Sequence, residues 1–201
     1  MLIESELQLR EIYGHAKGRA KDKQLAALEH HSINFIEHSP FMTLSTHAIS
    51  GSLDCSPRGG EPGFVKVFNK TCIIIPDGKG NNRLDSLVNI IETGQVGCLF
   101  LIPGVDETLR VNGLGQISTS AAHLNLFADH NNPPKTCIEI SIKEVFLHCA
   151  KALMRSKLWS ADAKIERSEL PTIATMLNDQ LGINDPLESH VAMVARYQRD
   201  L

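Results

Sequence analysis

The strongest constraint on the fold lies between residues 41 and 150, where short β-branched and aromatic runs are separated by Gly, Pro, Asn and Asp. The runs read "FMTLST", "GFVKVF", "TCIIIP", "VGCLFLI", "ETLRVNGLGQIS" and "TCIEISIKEVFLHCA". Runs this short, bounded by turn formers, are strands. Only two helical stretches interrupt them, about 84–93 and about 120–129, with Ser118, Thr119 or Ser120 placed to cap the second. A doubly wound sheet would need repeated strand–helix units and a G-x-G-x-x-G turn; "GGEPG" at 59–63 is not that turn, and no G-x-x-x-x-G-K-[ST] occurs. The pattern therefore predicts a mainly β, α+β chain built on an antiparallel barrel with flanking helices.

The flanks read as helical. Residues 4 to about 38 carry Leu7, Leu9, Ile12, Leu25, Leu28, Ile33 and Ile36 at mixed three- and four-residue steps, and Pro40 closes the region. Beyond Ala150, "SELPTIATMLNDQLG" ends at Gly182, a suitable C-terminal cap, and "DPLESHVAMVARYQ" supplies a last helix. A chain of 201 residues, 42% hydrophobic, can bury one sizeable core. We expect one domain: N-terminal helices at 1–39, a barrel core at 40–150 and a C-terminal helical extension at 151–201.

The net charge of −3 offers no global basic field for nucleic acid or an anionic membrane, so any anion site must be local. No apolar run approaches the roughly 20 residues that span a bilayer, and the charged N-terminus lacks a signal-peptide core, so a cytoplasmic protein is expected. Cys55, Cys72, Cys98, Cys137 and Cys149 are odd in number and form no C-x-x-C pair, which predicts buried free thiols in a reducing compartment. The nine histidines show no metal-ligand spacing, so no metal is expected, and no G-x-S-x-G marks a serine nucleophile.

Four stretches place polar groups where a ligand would use them. In "IIIPDGKGNNRLDSLVNII", residues 73–91, an apolar strand stops at Pro76, and Asn81 or Asn82 is suited to cap a helix starting near Arg83. Arg83 would then face the positive end of the helix dipole, a local conflict that an anion resolves. Glycines at 78 and 80 permit its close approach. In "SPRGGEPGFVKVF", Arg58 sits in a Gly/Pro turn; the following strand turns Val65 and Val67 one way and Phe64, Lys66 and Phe68 the other. In "ETLRVNG", Leu109 and Val111 face the core while Thr108, Arg110 and Asn112 share the other face, where Arg and Asn can bond a heteroaromatic ring edge. In "HCAKALMRSKLW", Lys151 and Arg155 stack on one face of a short helix, with Trp159 a further turn on. Each stretch also has a plain reading as a solvated turn or face.

Taken in order, "SPRGGEPGFVKV", "IIIPDGKGNNRLDSLVNI", "GCLFLIPGVDETLRVNG" and "HCAKALMRSKLW" resemble the pyridoxamine 5′-phosphate oxidase-related, FMN-binding split-barrel proteins, closest to a bacterial subgroup of FMN-dependent enzymes. The likeness covers roughly residues 30–160. It implies a six-stranded split β-barrel and a homodimer with FMN at the subunit interface. It places Asn82 and Arg83 at the phosphate, with Arg58 and Lys66 beside them, and Ile75, Pro76 and Asp77 along the ribityl chain and ring. Arg110 and Asn112 would reach FMN from the other subunit, Lys151, Arg155 and Trp159 would lie near the ring, and Ser56, Val65 and Asn81 complete the set. The implied function is an FMN-dependent oxidoreductase acting on a small molecule. A non-catalytic flavin-binding or flavin-sequestering protein and a deazaflavin-dependent reductase of the same fold are the alternatives. "KALMRSKLW" and the two helices after it do not match the substrate-holding residues of the authentic oxidase, so pyridoxamine phosphate oxidation is not implied.

Overall fold

The computed structural model describes residues 2–199. The N-terminal region forms α1 (Glu6–Tyr13), α2 (Arg19–Asp22) and α3 (His30–His38). It is broken where the apolar spacing suggested continuity. Gly14 and Gly18 take positive φ, and Leu25 leaves the helical path to exchange backbone hydrogen bonds with Val145. The strands that follow are β1 (Phe41–His47), β2 (Leu53–Gly59), β3 (Lys66–Asn69) and β4 (Cys72–Pro76). Helix α4 (Asp85–Thr93) leads to β5 (Gln95–Leu101) and β6 (Thr108–Ser118). The second predicted helix is one turn, α5 (Ala121–Leu124), continued as a 3-10 turn over Asn125–Phe127. Ser120 is its N-cap without a side-chain bond, and Ser118 Oγ instead accepts from the Ser120 N–H. β7 (Cys137–His148), α6 (Lys151–Ser156), α7 (Ile173–Leu181) and α8 (His190–Tyr197) complete the chain, with Gly182 capping α7 as expected.

The seven strands make one antiparallel sheet in the order β2-β1-β5-β6-β7-β4-β3, one strand more than the expected six. The added strand is β2, whose Pro57 and Gly59 read as turn residues in the sequence. Pro is tolerated there because β2 is an edge strand. The sheet is not closed by hydrogen bonds, yet it rolls around a main core. Met42 and Leu44 of β1 pack in the same cluster as Ile73 and Ile75 of β4, which lie at the far side of the strand order. Each such fully buried aliphatic side chain contributes about 1.5–3 kcal/mol.

Strand β4 explains its unbroken isoleucine run. Ile73 and Ile75 face the main core, and Cys72 and Ile74 face a second cluster with Phe127 and Cys137. At the β6–β7 ladder the register shifts between Asn112 and Gly113, and Lys143 is left unpaired. A Cβ on Gly113 would collide with the Ser141 carbonyl oxygen, so only glycine fits this crossing. α4 packs on β1, β2, β5 and β6, and α3 on β3, β6 and β7. No helix among the described residues is long and apolar enough to cross a membrane. All five cysteines are free. Cys72, Cys98 and Cys137, beside or within the apolar runs, are buried as expected, whereas Cys55 and Cys149 are exposed.

Candidate functional site

The segment from Pro76 to Leu87 does not form the expected capped helix start. Asn81 Oδ1 accepts from the Arg83 N–H at 3.1 Å, closing a tight turn. Asn82 and then Leu84 take left-handed φ values of 60° and 61°. Leu84, not Asn81 or Asn82, is the N-cap of α4, and it makes no side-chain cap bond. A leucine in this conformation costs roughly 1–2 kcal/mol. The first turn of α4 therefore keeps N–H donors that no cap side chain satisfies.

That first turn borders a cleft of about 910 Å³ between β2, the end of β4 and the 132–135 loop. This volume lies within the range of small-molecule sites. Arg58, Lys79, Arg83 and Lys135 line it, against the carboxylates of Asp77 and Asp85. The cleft thus brings together Ser56, Arg58, Pro76, Asp77, Asn81, Asn82 and Arg83 from the expected set.

The two arginines differ in setting. Arg83 has a side chain 75% exposed, and its Nε donates to Asp85 Oδ2 at 2.8 Å. Arg58 is half-buried on β2, not in a turn as its neighbours suggested. Its Nη1 donates to the Pro57 carbonyl at 3.0 Å and its Nη2 to Ser86 Oγ at 3.1 Å. Ser86, in the first turn of α4, donates in turn to Asp54 Oδ2 at 2.5 Å. Burial pushes the Asp77 carboxyl above the usual aspartate value, and the Arg58 guanidinium pulls it partway back. An arginine held against an uncapped helix start is a donor set suited to a phosphate monoester.

The other expected residues lie elsewhere. Val65 and Phe64 are both buried, ahead of β3, so they do not alternate as expected. Lys66 Nζ donates to the Gly63 carbonyl at 2.9 Å and does not line the cleft. Ile75 is a core residue. Thr108, read on the face of Arg110 and Asn112, is buried there. Arg110 pairs across the sheet with Leu99, which pairs with Thr43, which pairs with Pro57. Arg58 belongs to the other row, through Met42 and Phe100 to Leu109. Paired residues share a face, so Arg110 and Asn112 point away from the cleft within one protomer. Arg110 lies 5.3 Å over the Phe146 ring, and Asn112 donates to Glu144 at 3.4 Å. On the same face, His148 Nε2 is buried without a partner.

Lys151 and Arg155 are exposed on α6. Trp159 Nε1 donates at 2.9 Å to the carbonyl of Val105, which borders a second, smaller cleft of about 560 Å³ beside α3. Among the described residues, Glu29, His30 and His31 alone approach closely enough to share a metal ion, but the Glu29 carboxylate already caps α3 through His31 and Ser32. The sequence reading missed Asp54 and Ser86. The signal was the period-two row Asp54, Ser56, Arg58, masked by the prolines and glycines around it.

An open seven-stranded antiparallel sheet, with a cationic cleft where an uncapped helix meets an edge-strand arginine, defines a split-barrel protein. The family model for pyridoxamine 5′-phosphate oxidase matches residues 28–149, more than half of the chain, and the chain belongs to that family. No curated protein matches the sequence. Among solved structures, a variant of HupZ from Group A Streptococcus is 14% identical, over 60% of this chain and 98% of that one, with a TM-score of 0.51. A second HupZ structure from the same organism is 16% identical, over 60% and 93%, at 0.49. An FMN-binding protein from Syntrophomonas wolfei is 18% identical, over 58% and 81%, at 0.43. The first of these shows a shared fold.

Proposed function

We propose that this protein binds FMN in the β2–β4–α4 cleft and acts as an FMN-dependent oxidoreductase on a small molecule. The observation that carries this reading is the half-buried Arg58 set against the uncapped first turn of α4, within the fold of a flavoenzyme family. The flavin would supply the redox chemistry; the chain supplies binding, orientation and electrostatics. Two-electron transfer through a flavin needs no separate catalytic dyad.

The protein acts as a homodimer in this reading. The outer face of β5 is apolar and only half-covered: Gly97, Leu99 and Leu101 are partly exposed, and the neighbouring Phe41 is 38% exposed. Covering this face with a second copy would place Arg110 and Asn112 against the partner.

The test is to denature the purified protein and identify the released cofactor by chromatography and mass spectrometry. FMN is the expected product, and its reduction in the holoprotein by NADH or NADPH is expected to mark an enzyme. A deazaflavin, or no cofactor even after incubation with FMN, would overturn the cofactor assignment. Bound FMN that no nicotinamide donor or substrate reduces would leave a flavin carrier and overturn the enzymatic reading. Sedimentation of the FMN-loaded protein as a monomer would contradict the dimer.

A further inference from the structure

The way Arg58 is held suggests a second tier in the proposed phosphate site, and the inference rests on that site. The serine hydroxyl has a single proton. Ser86 gives it to Asp54 Oδ2 at 2.5 Å, so toward Arg58 Nη2, 3.1 Å away, Ser86 can only accept. The other oxygen of Asp54 accepts from Ser56 Oγ at 2.9 Å. Ser86 is 3% exposed, so water does not compete for its hydroxyl. Asp54 therefore sets the polarity of a hydrogen-bond chain that runs from β2 through the first turn of α4 and back to Arg58 on β2.

The inserted hydroxyl matters. A carboxylate bonded directly to a guanidinium occupies its bidentate edge, the same edge a phosphate uses. Asp54 reaches Arg58 through Ser86 instead. Of the five N–H donors of the guanidinium, one goes to the Pro57 carbonyl and one to Ser86, and the rest stay available to a ligand. We propose that Asp54, acting through Ser86, is the positioning residue of the phosphate site: it fixes the orientation of Arg58 across the cleft without touching the ligand. The competing role is structural, with the Asp54–Ser86 bond merely pinning α4 to β2.

FMN and riboflavin separate the two roles because they differ only in the phosphate. Affinities of both are measured by flavin fluorescence quenching for the parent and for Arg58→Ala, Asp54→Asn, Ser86→Ala and Ser86→Thr, with thermal melting on the same samples. The parent is expected to bind FMN at least about tenfold more tightly than riboflavin, and Arg58→Ala to erase most of that preference. Asp54→Asn and Ser86→Ala are each expected to weaken FMN by about two- to tenfold, the effect of one hydrogen bond, and to leave riboflavin unchanged. Ser86→Thr, which keeps the hydroxyl, should retain the preference. Asp54→Asn should add nothing in the Arg58→Ala background. Equal weakening of both ligands by Asp54→Asn would make its role structural and overturn the proposal. An Arg58→Ala defect with no Asp54→Asn or Ser86→Ala defect would overturn the relay while leaving the phosphate site standing. An unchanged FMN preference in Arg58→Ala would remove the phosphate site and the relay with it.

Discussion

Replacing Arg58 with alanine should damage FMN binding far more than replacing Arg83, although the strand–turn–helix sequence around Arg83 is the more conspicuous. Arg58 is half-buried and held in place, and a charge-assisted hydrogen bond from such a group contributes about 1.5–3 kcal/mol, or about ten- to a hundredfold in affinity. Arg83 is 75% exposed and already paired with Asp85 at 2.8 Å. To reach a ligand it must give up that pair, and an exposed, solvent-screened cation adds little, so the loss on Arg83→Ala is expected to be at most about fivefold. Salt should separate the two further. At physiological ionic strength exposed charges are screened over about 8 Å, so the Arg83 effect should shrink as salt is raised, while the Arg58 effect persists. Fluorescence-quenching titrations of both variants at low and high salt measure this. An Arg83→Ala loss equal to that of Arg58→Ala, or an Arg58→Ala loss that vanishes in high salt, would show that the held Arg58 is not the principal phosphate ligand.

Three further outcomes follow from the geometry. Gly113→Ala, which drives a Cβ into the Ser141 carbonyl, is expected to destabilise the fold by about 1–3 kcal/mol in denaturant titration; unchanged stability would mean that the β6–β7 bulge relaxes freely. Asp77→Asn should stabilise the unliganded protein at neutral pH. Burial raises the folded-state pKa of Asp77, so the native state holds its proton longer than the unfolded chain; native stability falls as pH rises through that folded value, and the variant's advantage should be absent in acid and complete at neutral pH. An advantage independent of pH would assign the effect to something other than this carboxyl. Alkylation of the native protein, followed by mass spectrometry, should label Cys55 and Cys149 first, because Cys98 is buried with its pKa pushed up to about 12 and Cys72 to about 11. Early labelling of Cys98 would contradict the buried β5 face.

The sequence exposed the barrel because short runs between turn formers admit few other readings, and the alternation in "ETLRVNG" correctly turned Arg110 outward and Leu109 and Val111 inward. Strand β2 escaped because proline and glycine carry turn propensity, and only its edge position makes Pro57 acceptable. Losing β2 meant losing the Asp54–Ser56–Arg58 row, so Arg58 read as a loop cation. The left-handed Leu84 was equally invisible, because leucine favours right-handed helix and nothing in its neighbours marks a positive φ. That Arg58 and Arg110 occupy opposite faces of the sheet depends on the pairing register of four strands, β2, β1, β5 and β6. No local pattern encodes that register. The family motifs carried the rest, because their order along the chain is more specific than any one of them.

The most direct measurement of the central claim is a crystal structure of the protein soaked with FMN. The phosphate is expected within hydrogen-bond distance of the Arg58 guanidinium and the first-turn N–H groups of α4, with Ser86 still bridging Asp54 to Arg58. FMN bound with its phosphate in the smaller cleft beside α3, or on the outer sheet face at Arg110 of the same protomer, would contradict that claim.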